Sequence, residues 1–379
     1  MQDIKIDFNI PVLAGNELAY IQQAFNNHHI SGDGQFSKKA GTLLEKELGI
    51  ARAVLTTSCT HALEMAALLL DIKEGDEVII PSFTFVSTVN AFVLRGARPV
   101  FIDIRPDTLN LDETQLEKLI TARTKAVVPV HYAGVGCEMD RITAICQQHG
   151  LQIVEDNAHG LFGKYHGKHL GTFGAMATQS FHETKNVTCG EGGALLINDP
   201  GFIDRAEIIR EKGTNRARFY RGMVDKYTWV DIGSSYLPSE ILAAVLFAQL
   251  EKWQEIQEKR KAIWHYYDDN LRNWAADHSV QLPFILPGCD SAYHMYYMIT
   301  PDAETRNLLM RHLRESGIVS VFHYQSLHLS EMGLRFGGKP GDCPVTEHAS
   351  DCLLRLPFYN SLSFEDQDYV LKVLKDFKK

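Results

Sequence analysis

Residues 151–193 read L-Q-I-V-E-D-N-A-H-G-L-F-G-K-Y-H-G-K-H-L-G-T-F-G-A-M-A-T-Q-S-F-H-E-T-K-N-V-T-C-G-E-G-G. The run 152–154, ending in two carboxylates, predicts a buried parallel strand that delivers Glu155 and Asp156 to its C-terminal edge, where open α/β sheets keep their ligand sites. A second short strand over 178–181 then delivers Lys185. A lysine amine that bonds an aldehyde and a carboxylate that faces a pyridinium nitrogen are what pyridoxal 5'-phosphate (PLP) chemistry requires. Taken singly, Asp156 reads as a helix cap and Lys185 as a surface lysine. It is their pairing on neighbouring strand ends that points to the cofactor. A free lysine, with a pKa of about 10.4, is too fully protonated to carry protons near neutrality, so burial and a cationic neighbour must lower it.

Working outward, V-L-T-T-S-C-T-H-A-L-E-M-A-A-L-L-L (54–70) predicts a strand over 54–57 and a helix with a buried stripe of Leu63, Ala66, Ala67 and Leu70. Ser58, Cys59 and Thr60 fall at that helix's N-terminus, which is either an anion site or a plain Ser/Thr cap. The next segment, D-E-V-I-I-P-S-F-T-F-V, gives a buried strand over 78–80, a break at Pro81 and a helix, with Phe83 and Phe85 as core or as pocket wall. Strands over 99–103 and from 126 onward continue the β and α alternation of a parallel, doubly wound sheet. His131 and Tyr132 end their strand on the same edge as Asp156, and 190–199 reads as a turn into an antiparallel strand. No G-x-G-x-x-G follows the first strand, which argues against a nicotinamide site.

A helix over 15–27 precedes the loop Ser31-Gly32-Asp33-Gly34. A long helical pattern from 239 to about 274 leads to a strand over 292–299, a helix over 303–317, a strand over 318–322 and a last helix over 364–377. The expected division is a large cofactor-binding domain with its N-terminal segment over 1–245 and a small α/β domain over 246–379.

At 379 residues, 45% hydrophobic and 22% charged, the chain can bury a large core, and a net charge of -9 disfavours nucleic acid and acidic membranes as partners. No 18-residue apolar run occurs and the start M-Q-D-I-K-I-D-F-N lacks an apolar h-region, so a cytoplasmic location is expected. Seven scattered cysteines without C-x-x-C suggest neither a disulfide framework nor a zinc site. His182 in H-E-T-K-N lacks the second histidine of a zincin helix, so no metal is expected. The basic stretch R-E-K-G-T-N-R-A-R-F-Y-R-G (210–222) is a solvated loop, or meets a diphosphate through Arg216, Arg218, Arg221 and Lys226.

The pattern E-D-x-A-H followed by S-F-H-x-x-K-N resembles the DegT/DnrJ/EryC1/StrS sugar aminotransferases, a branch of the fold-type I PLP enzymes. S-C-T at Ser58, V-P-V-H-Y-A-G-V-G-C-E-M-D, D-K-Y-T-W-V-D-I-G-S-S-Y-L and V-F-H-Y extend the likeness from about residue 7 to the C-terminus. The resemblance implies Lys185 and Asp156 as catalytic groups, the PLP phosphate at Ser58, Cys59, Thr60 and Ser180, and Phe85 and His159 close to the cofactor ring. It adds Gly32, Asp33, His323 and Tyr324 to His131, Tyr132 and Arg216 as candidates for substrate contact. It further implies L-glutamate as amino donor, a dTDP-linked 4-keto-6-deoxy sugar aminated at carbon 4, a surface-polysaccharide pathway, and a pocket shared within a homodimer or larger assembly. The alternatives are amination at carbon 3, a PLP sugar dehydratase, whose relatives carry histidine in place of the lysine, and a non-catalytic regulatory homologue. Three departures stand out: Asn157 where relatives carry a small Ala or Cys, Ser234-Ser235-Tyr236 where many present an Asn to the neighbouring subunit, and Ser326 in place of a Pro.

Overall fold

The computed structural model describes residues 4–378; residues 1–3 and 379, the outer ends of the two expected domains and the first part of the N-terminal start, lie outside the described residues. Short runs of Val, Ile, Leu and Ala build seven strands of one sheet: β1 (Arg52–Thr56), β2 (Glu77–Pro81), β3 (Arg98–Ile102), β4 (Thr124–Val127), β5 (Gln152–Asp156), β6 (Met176–Ser180) and β7 (Gly193–Ile197). Their order is β1-β7-β6-β5-β4-β2-β3. The pairs β2–β3, β2–β4, β4–β5 and β5–β6 are parallel, whereas β7 runs antiparallel to both β1 and β6. Every residue of β2, β6 and β7 is buried, because helices cover both faces, and this is why β2 and β7 carry apolar runs rather than alternation. Each apolar side chain fully buried here contributes about 1.5–3 kcal/mol.

This topology brings the C-terminal ends of β1, β2, β5 and β6 to one edge. The chain leaving β1 enters helix α3 (Cys59–Leu69), whose face of Ala62, Leu63, Met65 and Ala66 is buried. A second layer of packing unites the helices Trp253–Asp277, Ala303–Glu315 and Phe364–Asp376 around Tyr267, Tyr296, Leu313 and Leu374. Beside them lies a small antiparallel pair, β8 (Tyr297–Ile299) with β9 (Leu353–Arg355).

Three expectations change. The pattern over 239–274 is two helices, Glu240–Leu250 and Trp253–Asp277, because the chain is pinned at the joint: Tyr20 donates to Glu251 at 2.7 Å and the Trp253 ring stacks on Phe162 at 4.2 Å. The strand over 292–299 is paired only at Tyr297–Ile299, since Ala292 and His294 donate their backbone N–H to Gly134 and Ala133 instead. The strand over 318–322 reduces to single bridges, Ile6 to Ile318 and Val321 to Arg355.

One buried carboxylate holds the N-terminal layer. Glu240 accepts from the backbone N–H of Gly34, Phe36 and Ser37 at 3.0, 2.8 and 2.9 Å and from the Ser37 hydroxyl, satisfying the open end of α2 (Gln35–Leu48). Glu240→Ala strands these donors, so it should cost on the order of 3 kcal/mol, read as a lower urea midpoint at constant slope. An unchanged midpoint would show that water replaces the carboxylate there.

Candidate active site

The strand ends open on a cavity of about 740 Å³. Its wall includes Ser58, Cys59 and Thr60 after β1, Phe85 after β2, Asp156 and His159 from β5 onward, and Ser180 and Lys185 from β6 onward. His323 and Tyr324 close it from the C-terminal part of the chain. Sequence reading therefore placed ten of its candidates on one surface, and the physical reason is the parallel sheet, which delivers successive strand ends to a single edge.

Asp156 is fixed on both oxygens: Oδ2 accepts from the Thr88 hydroxyl at 2.7 Å and Oδ1 from the Ala158 N–H at 3.1 Å. Lys185 sits in a turn closed by its own N–H to the His182 carbonyl at 2.9 Å, and its side chain lines the cavity. Burial lowers its amine from 10.5 to about 8, against the upward pull of Cys59 and Asp156 and with help from the Arg355 cation. A lysine is neutral above its pKa, so capture of PLP by the cofactor-free protein should accelerate with rising pH around a midpoint near 8 and level off above it. Stopped-flow mixing at a series of pH values checks this; a midpoint near 10.5 contradicts the burial argument.

The start of α3 suits an anion. Ser58 is the N-cap of α3, its Oγ accepting from the His61 N–H at 3.1 Å, and the first N–H groups of any helix lack intrahelical acceptors. Thr60 and Ser87 join hydroxyls at 2.8 Å along the same wall. Gly193 makes this loop possible: a Cβ there would stand 2.3 Å from the Ser58 carbonyl carbon and 2.4 Å from the Cys59 nitrogen. Gly193→Ala should therefore distort the loop and weaken PLP binding about tenfold or more, measured by fluorescence titration of the cofactor-free protein. Phe85 remains 56% exposed and lines the cavity, whereas Phe83 is buried core against Tyr132 at 5.2 Å. His159 has a buried Nδ1 without a partner, and its ring stacks on His294 at 4.2 Å and 19°. Burial pushes both imidazoles well below their usual range, so they are neutral. An acid, a lysine, a helix N-terminus and an aromatic ring on the walls of one cavity fit PLP.

Five candidates stay off this cavity. His131 is fully buried and bonds Glu155 at 2.9 Å, and Tyr132 lies one layer behind the wall with its hydroxyl 3.1 Å from His323 Nδ1. Glu155 points to the sheet face opposite Asp156, as strand alternation requires, and accepts from the N–H groups of Gly171, Phe173 and Gly174. Gly32 packs against Leu237 and Pro238, and Asp33 pairs with Arg210 at 2.8 Å on both oxygens. Arg216 is engaged by Glu211 at 3.6 Å and Tyr220 at 3.1 Å; Arg218 and Arg221 likewise meet Asp204 and Glu207. The acidic groups of the helix Ile203–Arg210 and its continuation neutralise this basic stretch.

Of the three departures, Asn157 donates to the Leu170 carbonyl at 3.2 Å and to Gln179 at 3.0 Å behind the wall, wedged so that a Cβ at Gly160 would come within 2.1 Å of its Oδ1. The segment 234–236 is tied back by its backbone: Ser234 donates to Ile209, Tyr236 to Arg210, and Tyr236 accepts from Thr57. Ser326 bonds Ser350 at 2.9 Å. Residues that sequence reading missed are Thr88, His294 and Arg355. Thr88 carried a local signal, since it lies on the helix that Phe85 caps, one turn along. His294 and Arg355 come from distant segments and carried none. Among the described residues no His, Cys, Asp and Glu cluster could hold a metal, and no helix is long and apolar enough to cross a membrane.

Fold and cavity together define a PLP-dependent aminotransferase of the sugar-aminotransferase type. The chain belongs to the DegT/DnrJ/EryC1/StrS aminotransferase family, whose model matches residues 11–375. It is 33% identical to an uncharacterised protein of Methanocaldococcus jannaschii over 349 residues, 90% of each chain. Among solved structures, the aminotransferase TlmJ of Streptoalloteichus hindustanus matches with a TM-score of 0.88 and 30% identity over 98% of both chains. DesV of S. venezuelae matches with 0.89 and 28% over 100% of both. Spr1654 of Streptococcus pneumoniae in its PLP form matches with 0.89 and 26% over 99% of this chain and 98% of that one.

Proposed function

We propose that the chain moves the amino group of L-glutamate to carbon 4 of dTDP-4-dehydro-6-deoxy-D-glucose, giving dTDP-4-amino-4,6-dideoxy-D-galactose and 2-oxoglutarate. The observation that carries the aminotransferase reading is that Lys185 and Asp156 share one walled cavity. The sugar is inferred from the sequence motifs, which resemble those of dTDP-4-amino-4,6-dideoxygalactose transaminase, an enzyme of surface polysaccharide synthesis of the enterobacterial common antigen type.

When bound, PLP supplies an electron sink for the substrate carbon that gives up its proton. The Asp156 carboxylate, held by Thr88 and Ala158, keeps a proton on the ring nitrogen. The Lys185 amine, near neutral because it is buried, takes a proton from one carbon and returns it to another. Ser58, Cys59, Thr60 and Ser180 would bind the phosphate, and Phe85 and His159 would hold the ring. His323 and Tyr324 stand where a sugar enters. Residues 1–245 and 246–379 act as the cofactor-binding and closing parts, and a homodimer completes the pocket in the cytoplasm.

Retention of Lys185 favours amino transfer over dehydration. Incubation with L-glutamate and the 4-keto sugar, followed by product NMR, should show nitrogen at carbon 4 in the axial orientation. Nitrogen at carbon 3 would move the chain to the 3-aminotransferases. Light scattering should give at least a dimer; an active monomer would remove the shared pocket.

A further inference from the structure

We propose that Arg355 receives a carboxylate of the amino donor, a specificity role for an arginine of the small two-stranded sheet. The inference rests on the amino-transfer reading above. Arg355 ends β9 and its side chain lines the same cavity as Lys185. There the guanidinium lies 4.7 Å over the Phe8 ring and makes a single long hydrogen bond, 3.3 Å, to the Phe322 carbonyl. Its Nε is buried and has no partner. Among the described residues no carboxylate forms an ion pair with it.

A structural arginine in this fold looks different. Arg260, more deeply buried and also stacked on a phenylalanine, donates to the Tyr293 and His294 carbonyls and to Asn360 at 2.5–3.0 Å. Arg260 is saturated; Arg355 keeps most of its fork open toward the cavity. A desolvated cation without a counter-charge is costly, and such groups are retained when something arrives to pair with them. The cavity wall does not supply it. Asp156 is bound by Thr88, and Glu191 is exposed and turned toward His182 at 3.7 Å. The charge of Arg355 is felt across the cavity, helping to depress Lys185, His159, His294 and His323.

A planar fork lying over the Phe8 ring on the cavity wall matches a carboxylate bidentately. The other anion available to this enzyme is the sugar's diphosphate. That group sits across the sugar ring from the reacting carbon, whereas an amino acid's carboxylate is one carbon from the amine that must reach Lys185. Proximity of Arg355 to Lys185 therefore selects the carboxylate.

The test uses the PLP-loaded enzyme with Arg355→Gln and Arg355→Lys, and calorimetric titration with two unreactive probes, glutarate and dTDP. Arg355→Gln should weaken glutarate binding by about 10–100-fold, the range for hydrogen bonds to charged groups, and raise the glutamate KM with a smaller change in kcat. Affinity for dTDP should stay as in the wild type. Arg355→Lys, which keeps the charge without the fork, should fall between, and serves alone if the glutamine variant does not fold. Unchanged glutarate affinity in the variants overturns the proposal, as does a loss confined to dTDP or equal for both probes. A wild-type protein that binds glutarate but transfers no amino group would sink the amino-transfer reading instead.

Discussion

Lys185→Ala should yield a protein that shows no absorbance of lysine-bound PLP and turns over at least about 10⁴-fold more slowly, because one substitution removes both the covalent anchor and the proton carrier. The two losses come from the same atom, Nζ, and no second primary amine lines the cavity. The neighbouring imidazoles do not replace it: burial holds His159, His294 and His323 neutral, and none carries an amine that bonds an aldehyde. Unfolding should not become easier, since the native state loses a group whose charged form it disfavours. Absorbance and single-turnover assays on the same preparation check the claim. A residual rate within tenfold of the wild type would mean that Lys185 is not the reacting amine.

Asp156→Asn should lower kcat by about 10³-fold while PLP stays bound. The amide keeps the size of the side chain, but its one oxygen can accept from only one of Thr88 and Ala158, so the loss combines one missing acceptor with removal of the negative charge proposed to face the ring nitrogen. Asp156→Ala would be less informative, because it also leaves the Thr88 hydroxyl and the Ala158 N–H without their acceptor, at about 1–3 kcal/mol. If the asparagine variant works at near wild-type rate, the electron sink does not depend on this carboxylate and the assignment of Asp156 fails.

Both residues were legible in the sequence because their signals are local. A strand terminates two residues after its last apolar side chain, and the spacing S-F-H-x-x-K fits a strand end followed by one turn. The same holds for Ser58 at the start of α3. What could not be read is set by contacts between distant segments. Gly193 looks like any turn glycine until β7 is seen passing under the Ser58 loop, and Arg355 sits in a short apolar run that gives no hint of a cavity. His131 and Tyr132 were drawn to the right edge but one layer too deep, since the backbone carries them into a fully buried turn. The helical period across 239–274 continues through the joint at Glu251, so only Tyr20 and Trp253 reveal that the helix changes direction there.

Asn157 constrains what can stand beside it. With its amide wedged against Gly160 and its Oδ1 inside the space a methyl group would need, position 160 is locked to glycine for as long as asparagine stands at 157. The two positions are thus coupled: a side chain at 160 requires residue 157 to shift or shrink.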